Sequence, residues 1–116
     1  MQVTKSSSAT ALWGTWILLL TTFVMAALYF AQRFEESIKA GRRALAFTPK
    51  NNTARKFLAI SLAQLGRGGE ARAEIAELIK HQPDASLALF RQQGFRHEWM
   101  RELHVEGLRK AGLREE

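Results

Sequence analysis

The chain contains two prolines, Pro49 and Pro83, and they stand 34 residues apart. Sliding the sequence against itself by that interval brings Leu28 onto Leu62, Arg33 onto Arg67, Glu36 onto Glu70, Ser37 onto Ala71 and Leu45 onto Ile79. Small, apolar, charged and turn positions therefore recur together, as they do when one supersecondary unit is used twice. Each position has a physical role in a pair of packed helices. The small residue lets two backbones approach, leucines fill the space between them, and proline stops the second helix because it lacks an N–H and its ring clashes with the preceding turn.

The rest of the sequence fits such a unit. Its 116 residues allow one domain with a modest core, and 47% hydrophobic residues with abundant Ala, Leu, Arg and Glu favour helix over strand. The absence of cysteine removes disulfides, thiolate metal sites and thiol nucleophiles, and fits a reducing compartment. The expected fold is all-α: antiparallel helical hairpins stacked as a short solenoid, closed by a C-terminal capping helix. Repeat one is expected over residues 18–51, repeat two over 52–85 and the capping helices over 86–116.

Amphipathic segments and helix-ending signals alternate along the chain: FEESIKAGRRALAF, then TPKNN, TARKFLAISLAQL, GRGG, EARAEIAELIKHQ and PD. Leu58, Leu62 and Leu65 form one apolar stripe, and Ala71, Ile75, Leu78 and Ile79 another, so each helix has a face to bury. A short helix is expected over Ser86 to Phe90, with Gly94 interrupting it, and a last one near His97 to Ala111 that ends at Gly112.

The N-terminal third supports two readings. Residues 1–8 are polar and aperiodic, the pattern of a flexible tail. No charge occurs between Lys5 and Arg33, and the apolar segment 9–31 is long enough to cross a hydrocarbon core. Trp13 and Trp16 near one end, Tyr29 near the other and the basic cluster Arg33, Lys39, Arg42 and Arg43 suit a single-pass, N-out, C-in inner-membrane helix. The repeat register instead makes this segment the first helix of repeat one in a cytoplasmic protein. The surplus apolar surface of Leu12, Trp13, Trp16 and Ile17 would then be covered by the last helix or by a second copy of the chain.

At this point the chain resembles the tetratricopeptide repeat (TPR) family over residues 18–85. In the second unit, LAQLGRGGEARAEI supplies Gly66 at the turn, Ala71 at the small contact and Pro83 as terminator. In the first, YFAQRFEESIKAGRRALAFTP supplies Phe34, Ala44 and Pro49. The departures from the family pattern are Gln32 at the usual turn glycine, Ser37 at the small alanine, and Arg55 and Gly68 at aromatic positions. The order SLAQLGRGGEA, HQPDASLALF, GLRKAGL also resembles the C-terminal TPR region behind bacterial class III adenylate or guanylate cyclase domains. That likeness implies ancestry and not cyclase activity, which needs a much larger αβ domain.

Catalytic and metal chemistry find little support in the residues. His97 and His104 lie seven apart near Glu98, Glu102 and Glu106, a looser spacing than dedicated metal sites use, and His81 suits a helix C-terminus. Gly66, Gly68 and Gly69 follow a helix, whereas phosphate loops follow a strand. Ser6 to Ser8 have no base nearby in sequence. The formal charge of +6 concentrates between Arg33 and Arg67, where eight basic residues face two acidic ones, but without the interleaved aromatics of a nucleic-acid reader.

The expected function is therefore a non-enzymatic module that holds a protein or peptide partner, with no cofactor, no metal and no nucleic acid. The groove lined by the first helix of each unit is expected to bind it through Tyr29, Lys56, Ile60 and Gln64, the last three recurring every four residues on one helical face. Self-association and membrane contact through residues 9–31 accompany the two readings of the N-terminal segment.

Overall fold

The computed structural model describes Trp16 and residues 19–116. The tail expected at 1–8, and the part of the apolar segment at 9–15 and 17–18, lie outside the described residues. Helix α1 is described over residues 19–30 and is followed by α2 (Phe34–Phe47), α3 (Asn52–Gln64), α4 (Gly68–His81), the short α5 (Leu87–Arg91) and α6 (Glu98–Lys110). No strand occurs among them. The architecture is all-α, with adjacent helices packed as antiparallel hairpins.

The turns inside the two hairpins repeat almost atom for atom at an interval of 34 residues. Gln32 has φ +61° and Gly66 has φ +78°. The Arg33 N–H donates to the Leu28 carbonyl and the Arg67 N–H to the Leu62 carbonyl, both at 2.9 Å. This wraps each first arm in a left-handed C-terminal turn that satisfies carbonyls the helix would otherwise leave open. An Arg33–Glu36 ion pair opens α2 and an Arg67–Glu70 pair opens α4, with each acid in the positively polarised first turn. Both second arms also end alike: Thr48 and Gln82 donate to Ala44 and Leu78 at 2.8 Å, two residues past the last helical one lies solvent-exposed Pro49 or Pro83.

Helix α3 lies between α2 and α4, and α6 packs along its remaining side. The single stripe expected on α3 is accordingly a fully buried circumference. Every residue from Lys56 to Ala63 is buried, as is Ala54, while Leu65 is left exposed beyond the helix end. Asn51 starts α3 by accepting the Ala54 N–H at 3.1 Å, and it also donates to Thr22 Oγ1 at 3.4 Å, tying the helix to α1. Arg55 joins the hairpins' edges through Glu74 at 2.8 Å and the Pro49 carbonyl at 2.7 Å, which gives a purpose to a cation at this position.

The seam between hairpins is close. A Cβ at Gly41 of α2 would sit 2.7 Å from Met25 Cε and 3.2 Å from Leu58 Cβ, so only glycine fits without a shift. Ser37, at the small-residue position, is fully buried and polar: Ser61 Oγ donates to its hydroxyl at 3.0 Å, and Ser37 donates to the Met25 carbonyl at 3.3 Å. Helix α4 starts at Gly68, two residues earlier than its sequence pattern suggests. The Ala71 N–H closes the first turn onto the Arg67 carbonyl at 3.0 Å, which leaves Leu65, Gly66 and Arg67 between the two helices. No helix among the described residues is long and apolar enough to cross a membrane.

The left-handed conformation costs a side-chain-bearing residue roughly 1–2 kcal/mol, part of which glycine returns through its larger unfolded-state entropy. Gln32→Gly is therefore expected to stabilise the fold by about 1 kcal/mol, a rise of roughly 4 °C in Tm. Gly66→Ala should lower Tm by a similar amount, both read by circular dichroism melts.

Candidate functional site

The groove formed by α1 and α3 is built to receive a helix, and in this structure it holds one. Helix α6 crosses it at Gly107, where a Cβ would lie 2.4 Å from Tyr29 Oη and 2.9 Å from Ile60 Cβ. The absent side chain lets the backbones approach, and the polar groups of the groove close around it. Tyr29 Oη donates to the Leu103 carbonyl at 2.6 Å, Gln64 Nε2 donates to Tyr29 Oη at 3.1 Å, and Lys110 Nζ donates to Gln64 Oε1 at 3.1 Å. Burial pushes the Tyr29 phenol up to about 12, against the lowering effect of the Gln64 hydrogen bond, so it remains a neutral donor.

The residues expected to grip a partner thus turn out to be a self-contact. Tyr29 and Ile60 are fully buried and Lys56 nearly so, because α6 occupies the face on which they were expected to stand open. Ile60 belongs to the core. Lys56 places its ammonium 4.6 Å from the centre of the Phe90 ring and 5.4 Å from that of Phe57, a cation–π arrangement in a dry setting. Desolvation lowers its pKa to about 8.

His104 comes from α6 into the same apolar space and meets Phe30, Phe57, Phe90 and Phe95 at centroid distances of 5.1 to 6.4 Å. Neither ring nitrogen has a hydrogen-bond partner among the described residues. Burial, with the Lys56 charge adding to it, lowers the imidazole to about 3. His97 instead precedes α6, exposed and stacked on Trp99, so the two histidines do not converge. Among the described residues no group of three or more His, Asp and Glu side chains is placed to hold a metal. His81 sits exposed in the last turn of α4, where its sequence position suggested.

The surface left open lies on the first hairpin. Trp16, Leu19, Leu20, Phe23, Val24 and Phe47 are between 48% and 76% exposed, a contiguous kind of surface that folded chains seldom leave to water. Leu20 and Val24 of α1, with Ala40, Ala44 and Phe47 of α2, line a groove of about 420 Å³ that Arg43 borders. The sequence signal was present, since the apolar segment is longer than one hairpin needs. The partner groove was expected on α3, where α6 packs instead, because no local pattern announces where α6 lies. Comparison with family models, curated proteins and solved structures returns no match.

Gly107→Ala should loosen the α6 seam by about 2–3 kcal/mol, as overpacking does in a tight core. Tyr29→Phe combined with it should recover part of that loss, because the nearest clashing atom is then gone; urea denaturation of the four species measures the coupling.

For His104 the folded pKa is depressed below the ordinary 6.5, so between about pH 6.5 and 3 the unfolded chain takes up a proton that the native chain refuses. Stability is therefore lost as pH falls through that window. Urea midpoints at pH 7.5 and 4.5 should show the native sequence losing roughly 2 kcal/mol more than His104→Leu over the same step. For Lys56 the folded value is also depressed, and stability rises as pH climbs from about 8 towards 10.5.

Proposed function

We propose that this chain is a non-catalytic, TPR-type protein-interaction module, akin to a cyclase-associated TPR region without its cyclase domain, and that it works in the cytoplasm. The observation that carries this reading is the division of its apolar surface. The groove of α1 and α3 is filled by the chain's own α6, whereas the outer face of the first hairpin stays uncovered around Leu20, Phe23, Val24 and Phe47. Burying exposed apolar area is worth about 25 cal/mol per Å², so such a face gains by acquiring a protein surface. The partner engages this face in place of the self-occupied groove.

A single-pass anchor that holds a partner at the membrane is the second reading, favoured by the lack of any charge from Ser6 to Gln32 and by the outward-facing Trp16, Leu19 and Phe23. Carbonate-washed membranes separate the two: the module reading expects the chain in the supernatant, the anchor reading in the pellet. A photo-reactive residue at position 23 should cross-link a discrete protein species that a probe at position 96 does not. Leu20→Asp should abolish that species; equal labelling from both positions would remove support for the face.

A further inference from the structure

The geometry points to the open face of the first hairpin as a stacking surface for a helical hairpin of the same 34-residue kind, supplied by another protein. Its second helix would carry an acid, a glycine or alanine six residues later, and a base immediately after that. This deepens the interaction-module reading and rests on it.

The second hairpin shows what a covered version of this face looks like. Moving three of the exposed residues forward by one repeat takes Leu20 to Ala54, Phe23 to Phe57 and Val24 to Leu58, whereas Leu19 and Phe47 move to the exposed Thr53 and His81. The first three are 60%, 76% and 48% exposed, and their counterparts 0%, 6% and 1%. The first hairpin contacts two of these counterparts, Leu58 and Phe57, and His104 of α6 also packs on Phe57 at 5.7 Å. Gly41 lies against Leu58, with a Cβ there reaching to 3.2 Å of Leu58 Cβ, and the rings of Tyr29 and Phe30 meet Phe57 at 5.8 and 6.2 Å. Leu20, Phe23 and Val24 are thus placed like side chains of an inner repeat, and among the described residues no hairpin lies against them.

The charges repeat as well. The Arg67–Glu70 hydrogen bond raises the pKa of Arg67 and lowers that of Glu70, and across the existing seam the charges of Glu35 and Arg42 add small contributions of the same sign. Arg67 and Glu70 correspond to Arg33 and Glu36, which form the same pair at the start of α2 on the open side. A hairpin seated there in register would set an acid opposite Arg33, a small residue opposite Val24 and a base opposite Glu36. Those are the roles of Glu35, Gly41 and Arg42 in the hairpin that covers α3.

A second folded copy cannot supply that surface. Its own Gly41 side is occupied by α3, and its far end is closed by α5 and the C-terminal segment, where Leu87 and Ala88 N–H groups donate to the Arg114 and Glu115 carbonyls and Leu87 and Leu113 are buried. A face-to-face pair would oppose Arg43 and Lys39, neither of which has an ion-pair partner among the described residues, to their own copies.

The probe is a fluorescein-labelled synthetic peptide of residues 19–51, stapled as a hairpin and verified as helical by circular dichroism, titrated with the full chain and read by anisotropy. Saturable binding is expected, at least tenfold weaker for Val24→Asp or Phe23→Asp chains whose circular dichroism matches the native one. Glu36→Arg in the chain should weaken binding at least threefold, and Arg42→Glu in the peptide should restore it. Peptide that merely displaced the native first hairpin would bind the Val24→Asp chain undiminished and overturn the proposal. So would the absence of binding, Val24-dependent self-association by light scattering, or Val24-dependent flotation with phosphatidylglycerol vesicles. If the peptide fails while the position-23 cross-link persists, the stacking register is wrong and the module reading stands.

Discussion

Every part of this fold depends on the complete burial of α3. A helix that is apolar around its whole circumference cannot be stable with one face in water, and the run from Phe57 to Ala63 leaves no polar side except Ser61. Three partners are required, and the chain supplies them as α2, α4 and α6. Close approach at Gly41 on one side and Gly107 on another makes this possible, because backbone separation at those crossings is set by hydrogen atoms in place of side chains. The Ser61–Ser37–Met25 relay satisfies the one polar residue in the run without admitting water.

The α6 seam differs in character from the hairpin seams. It is where the buried cation of Lys56, the unpartnered imidazole of His104 and the Tyr29–Gln64–Lys110 chain of hydrogen bonds collect. Desolvated groups without full compensation make an interface less stable than its area implies. Acidification adds to that deficit at His104. The seam is therefore an acid-sensitive joint of the molecule, whereas the hairpin seams rest on apolar contact and ion pairs.

The two ends of the stack are unlike. At the far end, α5 and the C-terminal segment fold over the second hairpin and bury Ala85, Leu87 and Leu113. At the near end the first hairpin presents apolar side chains outward, bordered by Lys39 and Arg43. Helical stacks bury a continuous core only between neighbours, and this end, open among the described residues, keeps the composition of an interior. Lys39 and Arg43 give this surface a sign as well as a hydrophobic character.

The 34-residue recurrence, the prolines that follow each second arm, and the boundaries of α2, α5 and α6 to within a residue or so were all readable from sequence. Each is set by interactions between residues close in the chain: a cap, a turn, an ion pair three residues apart. Gln32 adopting the conformation of Gly66 is the clearest case, since the turn is imposed by its flanking hydrogen bonds even where the residue is unfavourable for it. Tertiary packing decided which apolar faces would be shared. Tyr29, Lys56, Ile60 and Gln64 do form one face, but their neighbour is a helix some forty residues or more further along, and nothing local to α3 specifies it. Periodicity reveals that a surface must be covered; only the path of the whole chain determines that α6 covers the groove and leaves Leu20, Phe23 and Val24 open.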